Sequence, residues 1–453
     1  MIRVQTACLA LCLCAASLTA QAASLVFVTT QSPAAAPLSA GAAALLADAC
    51  APVGVFVVPW SQGFYAQERA GQPASVARLV GAAVAVAVEC TEKGDATTIR
   101  LQLHEVTGRA VGTVEAQGAD PLAALAQALT DLQKQLAPTM HLAAPRWPPT
   151  QSAKAFREYA EGIAAASQPG GAPKAEPHFR SAIQADRQFA PAQHELGAVL
   201  WDLGRRDEAV QAYRAALTAR PDSAMTHNNL GVALMRTDEG TDADAQAELQ
   251  AALASSGDPA AVAFAHVSLG NLLRQDKDYA AAEKEYETAR RLMPQHPAPL
   301  LNLGVTAMMR KDNVAAEGLL RRVAAMRNER RAVADAHRLL GDLSLREARF
   351  DQAVVEYQQA LEARPDYAFA HCNLGAAYRK LKQLAEAAAE YRRAIELDND
   401  AKATGAAHNN LGNLLMHELN RPAEAAEQFR KALQYDPGNA TIQKNLERVQ
   451  GKG

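Results

Sequence analysis

The dipeptide Leu-Gly recurs at nearly regular intervals through the second half of this 453-residue chain. Seven copies make up the regular series, and they are Leu196-Gly197, Leu230-Gly231, Leu269-Gly270, Leu303-Gly304, Leu340-Gly341, Leu374-Gly375 and Leu411-Gly412. Successive leucines lie 34, 39, 34, 37, 34 and 37 residues apart. A period of this length exceeds that of a single helix and is typical of solenoids built from stacked helical hairpins. The second half of the chain is therefore predicted to be a stack of similar units.

The residues around each Leu-Gly pair predict two helices per unit. If Ala190 is counted as position 1, Leu196 and Leu200 occupy positions 7 and 11 and form an i, i+4 stripe on a first helix, helix A. Positions 20, 24 and 27 form the stripe of a second helix, helix B, and are occupied by Ala209, Tyr213 and Ala216. The small residues at positions 8, 20 and 27 let the helices approach closely, and Pro221 at position 32 ends helix B.

This pattern resembles the tetratricopeptide repeat (TPR), and the repeats that start at Ala334 and Ala368 carry the same residue types at the same positions. A degenerate repeat precedes the seven, and its residues are Phe156, Tyr159, Gly162, Ala175, Phe179 and Ala182. Residues 439–449 predict a closing helix that covers the last hydrophobic face, as repeat arrays require. The resemblance implies a mainly α fold, a right-handed TPR superhelix of about eight helical hairpins over 152–439, with a capping helix and tail over 440–453.

The intervals longer than 34 residues predict insertions at particular places. The polar stretch 238–244 is expected to lengthen the turn between the helices of the repeat that holds Leu230. Residues 328–333 are expected to extend the junction between one helix B and the next helix A. Long and short intervals alternate, so pairs of repeats recur every 71 to 73 residues. Duplication of a two-repeat unit would explain this alternation, but the spacing alone does not establish it.

Residues 24–145 follow a different pattern and are predicted to form a small α/β domain. Short runs rich in Val and Phe at 24–29 and 53–59 flank an alanine-rich helix at 40–50. Alternating side chains then predict a buried strand at 84–88, a half-exposed strand at 99–103 and a third strand at 111–115. These three strands would form an antiparallel meander. An amphipathic helix at 121–135 closes the region, and the Pro-rich residues 146–151 predict a semi-rigid linker.

The amino-terminal sequence predicts export. Residues 1–3 supply a positive start, residues 7–18 an apolar stretch, and residues 20–22 a small-x-small cleavage site, which together predict a signal peptide over 1–23. The apolar stretch is shorter than the roughly 20 residues that a membrane-spanning helix needs. No later segment is predicted to be transmembrane.

The element order of the α/β region and its segment 104–108 resemble the small periplasmic domains of TolB-like and CsgG-like proteins. This resemblance implies a periplasmic or envelope-associated protein. In an oxidising compartment Cys50 and Cys90 would pair as a disulfide, or they would remain two buried thiols, and the sequence leaves both open. Cys372, alone on a repeat helix, is predicted to be a packing residue.

The sequence contains none of the motifs expected of an enzyme. There is no nucleophile elbow, phosphate-binding loop, dinucleotide-binding glycine motif or His-Glu-x-x-His. A formal net charge of -3 does not indicate the basic surface that is typical of nucleic-acid-binding proteins. The chain is therefore predicted to be non-catalytic, without cofactor or metal.

Histidines recur at position 4 of five repeats, and they are His227, His266, His337, His371 and His408. A metal array is one interpretation. Packed helices lie about 8–10 Å apart whereas zinc needs ligands at about 2.0–2.1 Å, so equivalent positions cannot converge on one ion. Packing of each histidine against its own helix B is therefore the favoured interpretation.

Asparagines recur at position 6, and they are Asn229, Asn302, Asn373, Asn410 and, in the closing helix, Asn445. These repeats resemble those of protein O-GlcNAc transferases, which implies that the amides line a concave groove and bind the backbone of an extended peptide. An amide suits this role because it offers both a donor and an acceptor. Glu195, Ser268 and Leu339 interrupt the series. The alternative is that the asparagines merely occupy a solvated helix face.

Positions 12 and 13 add further candidates for peptide binding, which are Arg274, Met308 and Arg379. Methionines on an exposed face adapt to varied partners. The alternative is that the side chains at these positions are partly buried between adjacent helices. The sequence therefore predicts a non-catalytic protein- or peptide-binding scaffold of the bacterial cell envelope, without the transferase domain that follows such repeats in O-GlcNAc transferases. The alternative function is an enzyme or ligand-binding activity in the α/β domain, with the repeats as a docking module.

Overall fold

The computed structural model describes residues 24–29, 37–50, 56–57, 84–93, 96–105, 109–136, 150–168, 170–255, 259–294, 296–326 and 329–451. Within these ranges the chain has five strands and nineteen α-helices, and it forms two compact units, Met1–His296 and Pro297–Gly453. The predicted signal peptide, the side chain of Cys50 and most of the predicted linker lie outside the described residues, so those interpretations remain predictions.

The first unit begins with a five-stranded sheet and two helices. In chain order these elements are β1 (Ser24–Thr29), α1 (Pro37–Cys50), β2 (Phe56–Val57), β3 (Val84–Lys93), β4 (Ala96–Glu105), β5 (Ala110–Gly118) and α2 (Pro121–Leu136). The strand order in the sheet is β2-β1-β3-β4-β5. Strand β1 pairs in parallel with β2 and β3, whereas β3, β4 and β5 pair antiparallel in succession. The predicted antiparallel meander is therefore confirmed.

The sheet and the first repeat share one hydrophobic core. Along β4, Ile99 and Leu103 are fully buried, while the residues that alternate with the buried ones are half-buried. Helix α2 packs on β4 and β5 through leucines spaced three and four residues apart. Helix α1 packs on the first helix of the repeat region, and there Arg157 forms an ion pair with Glu92 of β3 at 2.7 Å. The core therefore continues without a break from the sheet into the repeats of the first unit.

The repeats form eight helical hairpins. Those of the first unit are α3 (Ala153–Ala166) with α4 (Ala172–Ala185), α5 (Ala190–Asp202) with α6 (Arg206–Ala219), α7 (Ala224–Leu234) with α8 (Asp242–Ala254), and α9 (Pro259–Gln275) with α10 (Tyr279–Leu292). Those of the second unit are α11 (Pro297–Met309) with α12 (Asn313–Ala324), α13 (Arg330–Arg346) with α14 (Phe350–Ala363), α15 (Ala368–Lys380) with α16 (Leu384–Leu397), and α17 (Ala401–His417) with α18 (Pro422–Tyr435). A closing helix, α19 (Ala440–Val449), follows. The mainly α fold is as predicted, and no described helix has the length and apolarity needed to cross a membrane.

The long intervals between repeats have two structural causes. The turn between α7 and α8 is lengthened as predicted, and Thr241 and Asp244 cap α8 with a reciprocal pair of hydrogen bonds. The A helices α9, α13 and α17 are each 17 residues long, against 13 for α11 and α15. Residues 330–333, expected to form an extended junction, are instead the first turn of α13. The extra residues therefore lengthen helix A itself.

The glycine of each Leu-Gly pair is required by a close approach of helix B. A Cβ atom added at Gly341 would lie 2.5 Å from Cε1 of Tyr357, and one at Gly197 would lie 2.6 Å from Cε1 of Tyr213. Contacts below 3.0 Å are not tolerated by real Cβ atoms, and both aromatic rings are buried. Positions 8 and 24 of the repeat therefore form one packing contact, which explains why the glycine recurs with a large side chain that is aromatic in five repeats and leucine in the other two.

The turn from helix A to helix B has a left-handed residue at position 15. Gly204 occupies this position with φ 77°, but Lys277, Lys311 and Lys382 adopt φ 64° there. A left-handed conformation costs an L-residue about 1–2 kcal/mol relative to the right-handed region, whereas glycine is nearly indifferent. The lysines therefore lower the stability of their hairpins.

Substitution of Lys382 by glycine is expected to raise the free energy of unfolding by about 0.5–1 kcal/mol, because the strain at this turn is removed at a modest entropic cost. Urea unfolding followed by circular dichroism measures the change. The control is Lys431→Gly, in the interior of α18, where glycine should lower stability by about 1 kcal/mol. A loss of stability in both variants would contradict the assignment of strain to Lys382.

Candidate functional site

In each unit, the A helices of successive hairpins lie side by side. Helix α7 contacts α9 in the first unit, and α11 contacts α13 and α15 contacts α17 in the second. Most side chains at positions 5, 6, 9, 12 and 13 of these helices are half-buried, with buried exceptions such as Asn228, Ser268 and Met308, and we call this set the A-helix face. The predicted binding residues all belong to these positions.

The position-6 asparagines of the second unit are half-buried, and three of them are anchored to the preceding A helix. Nδ2 of Asn373 donates to Oδ1 of Asp342 at 2.8 Å, and Nδ2 of Asn445 donates to Oδ1 of Asn413 at 3.2 Å. Nδ2 of Asn410 lies 3.5 Å from the sulfur of Cys372. Each contact uses one N–H group, so the amide is held in a fixed orientation.

Asn302 is different because its amide is not anchored. Its side chain is half-buried on α11 and forms no hydrogen bond within the described part of the chain. Its N–H groups and carbonyl oxygen therefore have no hydrogen-bond partner among the described residues.

In the first unit, Asn229 belongs to a chain of polar side chains that crosses three A helices. Its Nδ2 lies 3.5 Å from Nε2 of His194 on α5, and its Oδ1 accepts from Asn228 at 3.1 Å. Asn228 in turn accepts a hydrogen bond from Ser268 of α9 at 2.8 Å, and His194 contacts Thr226 at 2.9 Å. This chain fixes the orientation of uncharged polar groups across α5, α7 and α9.

The structure places the three candidates from positions 12 and 13 in different environments. Arg274 is half-buried and donates to Tyr286 and Asn271 at 3.2 and 3.3 Å. Arg379 forms an ion pair with Glu418 at 2.8 Å. Met308 is 7% exposed and packs with Leu320 and Leu340, so it is a core residue. Its neighbour Met309 is 49% exposed and is the methionine that remains accessible.

The sequence patterns did not single out a half-buried polar cluster in the second unit. Asp342 of α13 accepts hydrogen bonds at Oδ1 from the hydroxyl of Tyr357 at 2.7 Å and from Asn373, and its Oδ2 pairs with Arg338 at 2.6 Å. Arg338 also donates to the hydroxyl of Tyr367 at 2.8 Å, and this hydroxyl donates to Asp335. An i, i+4 Arg-Asp pair at positions 5 and 9 was the signal that could have revealed the cluster.

The electrostatics of this cluster are dominated by burial. Burial raises the pKa of Asp342, and the nearby Arg338 guanidinium only partly offsets this effect. Burial also raises the pKa of Tyr367 to about 12. Both tyrosines therefore act as neutral hydrogen-bond donors, and the cluster positions the amide of Asn373 on the A-helix face.

The position-4 histidines contact helix B of their own hairpin. Nδ1 of His266 lies 2.6 Å from Glu285, Nδ1 of His337 lies 2.8 Å from Glu356, and Nδ1 of His408 lies 2.8 Å from the amide oxygen of Gln428. Each ring thus packs against its own second helix, as favoured from the sequence. Among the described residues, no three His, Cys, Asp or Glu side chains are close enough to hold a metal ion together.

The described thiols are poor nucleophiles. Burial raises the pKa of Cys90 to about 12 and that of Cys372 to about 11, so both are protonated at neutral pH. Cys90 is a free thiol whose backbone N–H donates to the hydroxyl of Ser39 at 2.8 Å. Its environment is thus that of a structural residue.

Family models identify tetratricopeptide repeats in this chain. A model described as TPR repeat matches residues 197–238 and 341–382, and models described as tetratricopeptide repeat match 267–330, 368–401 and 405–439. The predicted repeats are therefore confirmed. The resemblances to O-GlcNAc transferase repeats and to TolB-like and CsgG-like domains remain predictions.

Several solved structures are similar in fold. The APC/C hetero-tetramer Cut9-Hcn1 matches at 18% identity over 65% of this chain with a TM-score of 0.46, and this chain spans 55% of its length. A thermophilic TPR protein of Thermus thermophilus matches at 22% identity over 41% of this chain and 97% of that chain, with a TM-score of 0.33. The human IFIT1 dimer with m7Gppp-AAAA matches at 14% identity over 72% of this chain and 68% of that chain, with a TM-score of 0.43. No curated protein matches the sequence of this chain.

Proposed function

We propose that this tetratricopeptide-repeat chain is a non-catalytic scaffold that binds a protein partner as an extended peptide on the A-helix face. The repeats themselves form a scaffold suited to protein binding. The observation that carries the finer proposal is the state of the position-6 amides in the second unit. The amide of Asn302 has no hydrogen-bond partner among the described residues, and Asn373 has one N–H group fixed by Asp342.

Fixed amides favour binding because they lose little freedom when a ligand arrives. Immobilising a flexible side chain costs about 0.5–1.5 kcal/mol on association, and a side chain already held by its own protein avoids this cost. The free carbonyl and N–H of an amide match the N–H and carbonyl of a peptide group. Recognition would therefore depend on the backbone of the partner more than on its side chains.

We further propose that the protein acts in the bacterial cell envelope. The predicted signal peptide over 1–23 supports this location, since the three sequence features of an export signal occur in their usual order. Fusion of residues 1–30 to alkaline phosphatase, which is active only after export, tests this proposal directly. Activity equal to that of a leaderless fusion would contradict it.

Substitution of Asn302 and Asn373 by alanine is expected to weaken peptide binding by about 5- to 150-fold, since each lost hydrogen bond contributes about 0.5–1.5 kcal/mol. Unstructured peptides selected from a random phage-displayed library against the full chain serve as the probe, and fluorescence anisotropy measures their affinity. Asn302→Ala alone isolates the binding effect, because this amide contributes no hydrogen bond to the described part of the fold.

The matched control removes two amides from helix B. Gln358→Ala with Gln359→Ala changes two exposed residues of α14, outside the A-helix face, and should leave affinity unchanged. Equal loss in this control, or unchanged affinity in the Asn302→Ala variant, would move the binding site away from the A-helix face. Melting temperatures of all variants establish that the fold is retained.

A further inference from the structure

Two position-4 histidines contact hydrogen-bond acceptors at both ring nitrogens. Nδ1 of His227 lies 2.6 Å from Oε2 of Glu248, and its Nε2 lies 2.8 Å from the carbonyl oxygen of Pro221. Nδ1 of His371 lies 2.6 Å from Oε2 of Glu390, and its Nε2 lies 3.1 Å from the carbonyl oxygen of Pro365. Each ring therefore joins helix A to helix B and to the turn that precedes helix A.

A doubly protonated ring satisfies both contacts at once. A carboxylate and a backbone carbonyl only accept hydrogen bonds, and a neutral imidazole has a single N–H group to donate. The imidazolium has two N–H groups, so only the charged form makes both bonds. A neutral ring must give up either the helix B carboxylate or the turn carbonyl.

We propose that His227 and His371 act as pH-sensitive locks. The protonated ring bonds both the carboxylate of helix B and the carbonyl of the turn before helix A, and the neutral ring keeps only one of these two bonds. We call each ring with its two acceptors a histidine lock. One lock lies in each compact unit, in hairpins α7–α8 and α15–α16. This proposal does not depend on the function proposed above.

A carboxylate of helix B faces each of the two rings. Glu248 of α8 faces His227, and Asp222 adds negative charge from the turn, while Glu390 of α16 faces His371. Both turns have the sequence Arg-Pro-Asp, at 220–222 and 364–366. The hydrogen bond to Glu248 is the main reason that the pKa of His227 is raised above its usual value, against the opposing effect of burial.

The sign of the pH effect follows from this direction. A histidine whose pKa is raised by folding stabilises the fold fully below its ordinary pKa of about 6.5, and this stabilisation is lost as pH rises through the raised pKa. The lock at His227 therefore opens as pH rises through the raised pKa of this ring, above its ordinary value of about 6.5. His408 and His296 behave in the opposite sense, because burial lowers the pKa of both, to about 4 for His296. These two histidines therefore lower the stability of the fold as pH falls below about 6.5, because the unfolded chain then binds more protons.

The chain contains two versions of the lock that cannot titrate. Nε2 of Gln193 donates to the carbonyl oxygen of Arg187 at 2.8 Å, and Nε2 of Gln443 donates to that of Pro437 at 2.9 Å. In all four cases the side chain reaches the carbonyl six residues earlier. Glutamine at position 4 therefore bonds the turn carbonyl at every pH. His→Gln is a suitable test substitution, because glutamine already occupies this position elsewhere in the chain.

Hydrogen–deuterium exchange of the full chain at pH 6 and pH 8, corrected for intrinsic rates, tests the proposal. Protection in segments 221–234 and 365–380 is expected to fall about threefold to tenfold at pH 8, the change expected from one lost hydrogen bond. Segments 187–200 and 437–449, which carry Gln193 and Gln443, should keep their protection. The variant with His227→Gln and His371→Gln should lose the pH response and keep protection at pH 8.

Two results would overturn the proposal. One is an equal fall in the glutamine-containing segments, and the other is a pH response that persists in the His→Gln variant. The single variant Glu248→Gln provides a further measurement, because it keeps an acceptor for His227 but removes the charge. It should weaken the pH response of segment 221–234 and leave that of segment 365–380 intact.

Discussion

Replacement of Asp342 by alanine is expected to lower the free energy of unfolding of the second unit by about 1–3 kcal/mol, the usual cost of leaving hydrogen-bonding groups in the interior without their partner. The side chain of Arg338 is only 22% exposed and would lose its carboxylate. The hydroxyl of Tyr357 and the amide of Asn373 would lose their acceptor as well. Urea unfolding, followed by circular dichroism, measures the change.

The control for this prediction is Asp366→Ala. Asp366 is 70% exposed and pairs with Arg364 at 3.5 Å, so its removal should cost at most about 1 kcal/mol. A double variant, Arg338→Met with Asp342→Leu, is expected to recover much of the lost stability, because burial already disfavours the charge of Asp342. If Asp342→Ala and Asp366→Ala had equal effects, the cluster would not stabilise the fold.

Replacement of Gly341 by alanine is expected to lower the free energy of unfolding by about 1–3 kcal/mol, because overpacking outweighs the better helix propensity of alanine. The added Cβ would lie 2.5 Å from Cε1 and 2.7 Å from Cδ1 of Tyr357. The ring cannot move away freely, since it is fully buried and its hydroxyl donates to Asp342. The same unfolding measurement applies.

The identical substitution at Gly318 should act in the opposite direction. Gly318 lies in the middle of α12, and an added Cβ there meets no atom of the described residues within 4 Å. Alanine is expected to raise stability at this position by about 0.5–1 kcal/mol. If Gly341→Ala were stabilising like Gly318→Ala, the contact between positions 8 and 24 would not explain the Leu-Gly repeat.

The sequence predicted the architecture well because the same contact between helix A and helix B recurs in several repeats. Gly341 and Tyr357 occupy positions 8 and 24, and equivalent pairs recur in other hairpins, so the pattern is visible without any coordinates. The strands β3, β4 and β5 were likewise predicted, because alternation of buried and half-buried residues is a local property. The extra turn of α13 was missed, since Arg330 and Arg331 do not differ locally from a polar loop.

The candidate site was predicted less completely. Asn373 was identified from its position, but its anchor Asp342 lies 31 residues earlier and on another hairpin. Met308 and Met309 are adjacent in sequence, and only packing against Leu320 and Leu340 shows which of them is buried. The histidine pattern was visible, yet its meaning depends on the acceptors at each ring nitrogen.

The sequence by itself determined the repeat, the two helices of each unit and the residues that face the core, because these follow from spacing along one chain segment. The tertiary structure alone decided the partners of the polar side chains: Asp342 for Asn373, Pro365 for His371, and none among the described residues for Asn302. The physical reason is that hydrogen bonds and burial depend on distances of a few ångströms between segments. Hydrophobic periodicity encodes which side of a helix is buried, but it carries no information about which polar atoms then meet.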